Sequence, residues 1–272
     1  MKTADKISII PDKQKTFYRL FLIIVICLYI LSVSQLNLQL KGGLSNFLKA
    51  FEFFLRMLQM NMSEWSDVLY AALESISVAI LSTIISAVLA FFISFMAAGN
   101  VSVKFLTWLC KGVAAGIRAV PTLIWTLIFV AYLGLGPFPG VIGLCFHSFA
   151  YLVKAYSQSI EDVKEGNIEA LKATGASWLQ IMARGVVPPI KTALISWTAL
   201  RFEINVGESS ILGLVGAGGI GHELSMAMRG YQFEKAGFVI LIIFLMSFSI
   251  EMLFHKLKLN VDKRRLKEKQ NG

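Results

Sequence analysis

The sequence predicts an all-α, polytopic membrane protein of about six transmembrane helices, with a short helix hairpin beneath the membrane. Three observations predict it. Six apolar runs approach the length that crosses a bilayer, basic residues gather at the two ends, and one polar stretch between the fourth and fifth runs carries helix-capping signals. Of the 272 residues, 56% are hydrophobic and 16% charged, whereas a soluble domain carries about a quarter charged. The apolar residues fall in long blocks, without the strict alternation or one-sided stripes that soluble folds need.

The elements follow in chain order. Residues 1–16 form a basic N-terminus with Lys2, Lys6, Lys13 and Lys15. The run 17–36 comes next, opened by Phe17 and Arg19; it approaches full spanning length and lacks a small-residue cleavage site, so it reads as a retained helix and not a secretory signal. The external remainder of 17–67 holds Phe47, Phe51, Phe54, Leu55 and Leu58 at the spacing of one helix face, which predicts that Leu44 to Met62 lies flat in the interface. Residues 68–254 form the membrane core, with runs at 68–98, 108–133, 138–158, 189–206 and 233–254, and Pro121 kinks the second of these five. The tail 255–272 is again basic, with Lys256, Lys258, Lys263, Arg264, Arg265, Lys267 and Lys269.

Both basic ends belong in the cytoplasm, and an even number of crossings allows it. Residues 99–107 and about 159–188 are then inside, and 37–67, 134–137 and 207–232 outside. The net charge of +9 is explained by this placement at the membrane margins, where it meets lipid head groups, so nucleic acid is not an expected partner. Cys27, Cys110 and Cys145 are isolated in apolar stretches, and His147, His222 and His255 make no ligand pattern, so no metal site is expected.

The polar stretch runs from Glu165 to Gln180. Asn167 is expected to cap a first helix, Gly175 to end it in a left-handed conformation, and Ser177 with Gln180 to form a capping box for a second. Pro188 and Pro189 are expected to stop that second helix and open the next crossing. Such a hairpin either packs on the bundle as an ordinary amphipathic element or offers a rigid surface on which a partner pushes. Glu169, Ala170, then Gly175 and Pro188 stand at the spacing of the EAA loop, and the stretch resembles that loop of bacterial ABC importer permeases. Leu171 replaces the usual second alanine, Gly185 the usual isoleucine and Val187 the usual leucine. The resemblance implies that Glu169, Ala170, Gly175 and Ala176 couple this chain to a separate ATPase that binds ATP and Mg. No GxxxxGK[ST] phosphate loop occurs in the sequence, and no cofactor of this chain is expected.

A second stretch, Arg201 to Gly221, contains Gly216 to Gly221 at the spacing GxGxxG. That spacing marks a dinucleotide site only between a strand and a helix, and no such context surrounds it; the glycines instead suit close helix approach or irregular backbone buried in protein. The stretch FEIN…ILGLVGAGGIG resembles phosphonate importer permeases of the methionine-permease-like fold, with the likeness reaching from about residue 110 to 255. Methionine permeases share a looser version. Gly207 stands where many relatives carry a basic residue. The resemblance implies two copies around one pore in the bacterial inner membrane, two ATPase subunits beneath and an external binding protein.

Arg118 and Arg201 with Glu203 are ionisable groups inside apolar runs, where facing lipid is costly. With Pro121, Asn205, Ser209, Ser210, Gly216, Gly218 and Gly219 they are the candidates for lining or gating a substrate path. Pairing that merely holds helices together, or snorkelling to an interface, accounts for them equally, and a direct Arg118–Glu203 pair is one such pairing. Two other classes compete with a transport subunit. A membrane enzyme needs a clustered nucleophile, base or metal set, which scattered histidines and lone carboxylates do not supply. An ion-coupled carrier would work through intramembrane carboxylates such as Glu74, Glu203 or Glu251.

Overall fold

The computed structural model describes residues 12–35 and 43–270. Lys2 and Lys6, which the sequence placed beside the first crossing, lie outside the described residues. The described chain is helical throughout: α1 Asp12–Gln35, α2 Gly43–Met57, α3 Trp65–Ala97, α4 Lys104–Ala119, α5 Thr122–Leu133, α6 Pro137–Glu161, α7 Glu165–Ala173, α8 Trp178–Ile181, α9 Val187–Leu212, α10 Gly219–Arg229 and α11 Phe233–Gln270. It divides into two compact units between Phe54 and Leu55. In the first unit α1 is an apolar helix, and α2 forms within the expected interfacial segment with Phe47, Phe51 and Phe54 exposed.

The second unit is built around α3 and α6. One face of α3 is a run of small residues, including Ala71, Ser75, Ala79, Ser82, Ser86 and Ala90, all buried. Small side chains let two backbones approach closely where lipid provides no hydrophobic drive. The approach is close enough for Ser86 Oγ to donate to the Cys145 carbonyl of α6 at 3.1 Å. On the opposite face of α3, Leu73, Leu81, Ile84 and Val88 are exposed. An apolar surface of that extent needs lipid as its solvent.

Among the described residues, four helices are long and apolar enough to cross a membrane alone, and two bent pairs raise the number to six if each pair is one span. The third expected crossing is the first of those pairs, α4 and α5, which meet at 82°. A kink was expected at Pro121; a full break is found. Val120, before the proline, is extended at φ −93°, ψ 124°, as the proline ring demands. The backbone freed at the corner is satisfied locally, since Trp125 Nε1 donates to the Ile117 carbonyl at 3.1 Å.

The fifth crossing outruns its expected limits of 189–206. Helix α9 continues to Leu212 and a 3-10 turn, Gly213–Val215, before a bend of 42° into α10. Polar residues past Val206 did not end it because the helix absorbs them: Ser209 Oγ and Ser210 Oγ both donate to the Val206 carbonyl. The tail expected from residue 255 likewise stays helical to Gln270, being rich in Lys, Leu and Arg and free of Gly and Pro over that length.

Candidate functional site

The hairpin after α6 is rigid for reasons visible in its residues. Ile168 of α7, Ile181 of α8, and Met182 and Val186 of the turn that follows share one buried apolar cluster with Phe95, Ile160 and Val163, which ties both arms to the ends of α3 and α6. Each such buried side chain contributes about 1.5–3 kcal/mol. Trp178 Nε1 donates to the Val101 carbonyl at 3.1 Å, pinning α8 to the segment after α3. Between the arms Gly175 takes φ +75°, its N–H donating to the Lys172 carbonyl and that of Ala176 to Leu171. This double closure is the Schellman stop, which the left-handed glycine makes possible. Ser177 and Gln180 form the expected capping box, with Gln180 Oε1 accepting the Ser177 N–H at 2.8 Å. Glu169, Ala170 and Gly175 are exposed and Ala176 is half-buried, so the elbow presents a free surface.

Two details of the hairpin differ from expectation. Asn167 does not cap α7: the helix begins two residues earlier, at Glu165, whose carboxylate suits the first turn. Pro188 and Pro189 do not stop the second helix. The π turn Met182–Val186 carries the chain into α9 with Val187 N–H bonding to the Met182 carbonyl, and the prolines sit at the start of α9 where their missing N–H groups cost least.

The two departures at 171 and 185 are one feature. A side chain begun at Gly185 would place its Cβ 2.5 Å from Leu171 Cδ1, so the larger Leu171 occupies the room that a larger residue at 185 would fill. Gly185→Ala is expected to destabilise the hairpin by about 1 kcal/mol, the low end of overpacking, because the atom it meets is the free end of the Leu171 side chain, and adding Leu171→Ala should remove that clash. Thermal unfolding of the two single variants and the double variant measures this coupling; strict additivity would separate the two positions.

Inside the bundle a chain of polar groups crosses three helices. On α9, Arg201, Asn205 and Glu208 share a face by their spacing of four and seven. Arg201, 3% exposed at its side chain, pairs Nη2 with Glu208 Oε2 at 2.9 Å. Its Nε donates to Ser148 Oγ of α6 at 2.9 Å, Ser148 donates to Asn205 Oδ1 at 2.9 Å, and Asn205 Nδ2 donates to Thr83 Oγ1 of α3 at 2.8 Å. Thr83 completes the chain by donating to the Ala79 carbonyl. Arg201 and Asn205 are therefore brought together, and Glu203 is not with them: two residues from Arg201, it faces another side of α9. No Arg118–Glu203 pair forms. Arg118 lies over the Tyr151 ring at 5.9 Å, the same ring that Arg201 approaches at 5.6 Å. Ser209 and Ser210 spend their hydroxyls within α9, Pro121 sits at the α4–α5 corner, and Gly207 faces open space.

Glu208, Ser148 and Thr83 were missed from sequence. The spacing of Glu208 seven residues after Arg201 was the available signal for the first; nothing local distinguishes the other two from ordinary helix hydroxyls.

The glycine-rich stretch turns the chain from α9 into α10. Gly216, Gly218 and Gly219 hold φ of +93°, +72° and +69°, a region only glycine enters freely. The first free N–H groups of α10 are received by α3: Gly219 N–H donates to Glu74 Oε2 at 3.1 Å, and Ile220 N–H to Ser75 Oγ at 2.9 Å. A carboxylate and a hydroxyl thus cap a helix from a different segment, satisfying donors that lipid could not.

The family described as the binding-protein-dependent transport system inner membrane component matches residues 90–265. The phosphate-import permease protein PhnE of Mycolicibacterium smegmatis is 34% identical over 202 residues, which cover 74% of this chain and 38% of that one. The putative phosphite transport system permease protein HtxC of Stutzerimonas stutzeri is 31% identical over 211 residues, covering 77% of this chain and 75% of that one. This chain thus spans well under half the length of the first relative. Among solved structures, a chain of the MetNI methionine ABC transporter in an inward-facing conformation shares the fold, with a TM-score of 0.62 over 73% of this chain and 97% of that one at 17% identity.

Proposed function

The chain belongs to the binding-protein-dependent transport system inner membrane component family, and from that premise we propose that it is the pore-forming subunit of an ATP-driven importer of phosphorus oxyanions. Its cargo is phosphonate or a related ion such as phosphite or phosphate. The observation that carries the reading is the exposed elbow at Gly175, stiffened by a Schellman stop, a capping box and a buried cluster. A surface so held transmits displacement instead of absorbing it. The phosphate and phosphite relatives support the substrate class, and the buried Arg201 offers a fixed cation to an anion in passage.

The working assembly has two copies of this chain, two ATPase subunits below that bind ATP and Mg, and an external binding protein that delivers the cargo. Both ends of the chain face the cytoplasm, in a membrane of the inner, plasma type. Glu169, Ala170, Gly175 and Ala176 meet the ATPase. Arg201, with Asn205 behind it, lines the path, and the Gly216–Gly219 turn and the Pro121 corner flank it. Covalent chemistry stays with the ATPase.

The test is ATP hydrolysis by the assembled complex in lipid vesicles, with the binding protein loaded in turn with alkylphosphonate, phosphite, phosphate and methionine. The phosphorus compounds should stimulate hydrolysis and methionine should not. Uptake driven by an ion gradient with no ATPase present would overturn the reading.

A further inference from the structure

Between α4 and α6 lies a cavity of about 290 Å³ that the polar chain does not use. Its walls follow from two identical spacings. Lys111, Ala114, Ala115 and Arg118 lie on one face of α4, and Lys154 and Glu161 lie on the facing side of α6. The alanines leave the room, and the longer side chains supply the charge.

The charge is unbalanced. Lys111 Nζ pairs with Glu161 Oε1 at 2.7 Å, and the same oxygen accepts the Gly99 N–H at 2.7 Å. The single carboxylate is therefore already engaged, while Arg118 and Lys154 form no ion pair among the described residues. Arg118 leans on Tyr151, which it shares with Arg201, so an aromatic face links the buried guanidinium to this cavity. Two unneutralised cations facing one space repel each other and are stabilised by an anion between them. The position is also telling: Glu161 ends α6, four residues before the hairpin begins at Glu165.

We propose that this cavity binds a tetrahedral phosphorus oxyanion, with Arg118 and Lys154 holding the oxygens and Ala114, Ala115 and Val153 accommodating an apolar substituent. A guanidinium fork and a mobile ammonium together match the oxygens of such a group. As a station on the cytoplasmic side of Arg201 the site rests on the importer reading above, whereas its anion chemistry does not. The phosphate head group of an anionic lipid has the same chemistry, and the experiment distinguishes the two sources.

The full chain is purified in phospholipid-free detergent, and binding of radiolabelled inorganic phosphate and methylphosphonate is measured by equilibrium dialysis. Saturable binding is expected, weakened by about tenfold or more in the double variant Arg118→Gln, Lys154→Gln, as loss of charge-assisted hydrogen bonds requires. Ala115→Leu fills the cavity from an exposed, uncharged position and should weaken binding while leaving the charges intact. In a second arm, phosphatidylglycerol retained by the wild type, released by the double variant and competed by phosphate identifies a lipid head group as the occupant. Equal binding of phosphate, methylphosphonate and phosphatidylglycerol by the wild type and both variants overturns the proposal. If the cavity binds phosphate but vesicles import no phosphorus oxyanion, the importer reading falls and the site stands. Intact import with no binding at the cavity gives the reverse.

Discussion

Gly175→Val is expected to stop uptake while leaving the protein folded and assembled. The backbone at this position has φ +75° and the space around it is open, so valine meets no clash and the whole penalty is conformational. A left-handed L-residue costs about 1–2 kcal/mol, roughly tenfold in the population of the native elbow, and β-branching adds to it. The native elbow then holds by a smaller margin against other shapes, and the exposed Glu169–Ala170 surface is delivered in register less firmly. Gly175→Asn is the control, because asparagine tolerates the left-handed region. Uptake and substrate-stimulated ATP hydrolysis should survive in the asparagine variant and fail together in the valine variant. Undiminished uptake by the valine variant would remove the elbow from the coupling mechanism.

The second large effect is expected at Arg201. Arg201→Gln leaves the Glu208 carboxylate without its partner and Ser148 without its donor. Breaking a buried pair from one side costs about 3–5 kcal/mol, and the lower end applies because Glu208 is 26% exposed. Stability and uptake should both fall. The double variant Arg201→Gln, Glu208→Gln separates the two effects, since it removes the stranded carboxylate. Thermal stability should largely return while uptake of the anion stays low. If uptake returns with stability, Arg201 is a helix tie and nothing more.

Much of this architecture was legible in the sequence because membrane crossings and helix caps are local. The run at 138–158 became α6, and Gly175, Ser177 and Gln180 adopted the turn chemistry their types dictate. Pro121 was legible as a disturbance, and its size was not: whether a proline bends or breaks a helix depends on what receives the freed carbonyls, here the indole of Trp125. The end of α9 was misplaced because Glu208, Ser209 and Ser210 look like the start of a polar loop until their partners are known. Glu74 is the clearest limit. As a lone carboxylate in an apolar run it suggested ion coupling, and its use is to receive the first N–H of α10, more than a hundred residues away. Arg201 was found because a charge in an apolar run is conspicuous; Ser148 and Thr83 were not, because hydroxyls in such runs usually bond to their own helix, as Thr83 does in part.

The direction of the bonds from Arg201 to Ala79 bears on the electrical tightness of the membrane. Every hydrogen in the series points the same way, out of a guanidinium and ending on a backbone carbonyl. Protons hop along such a series only if one end can release a proton and the other can take it up. A guanidinium does not deprotonate and an amide oxygen does not hold the proton. This polar track is therefore an insulator, and a membrane that holds this chain does not discharge its proton gradient along it.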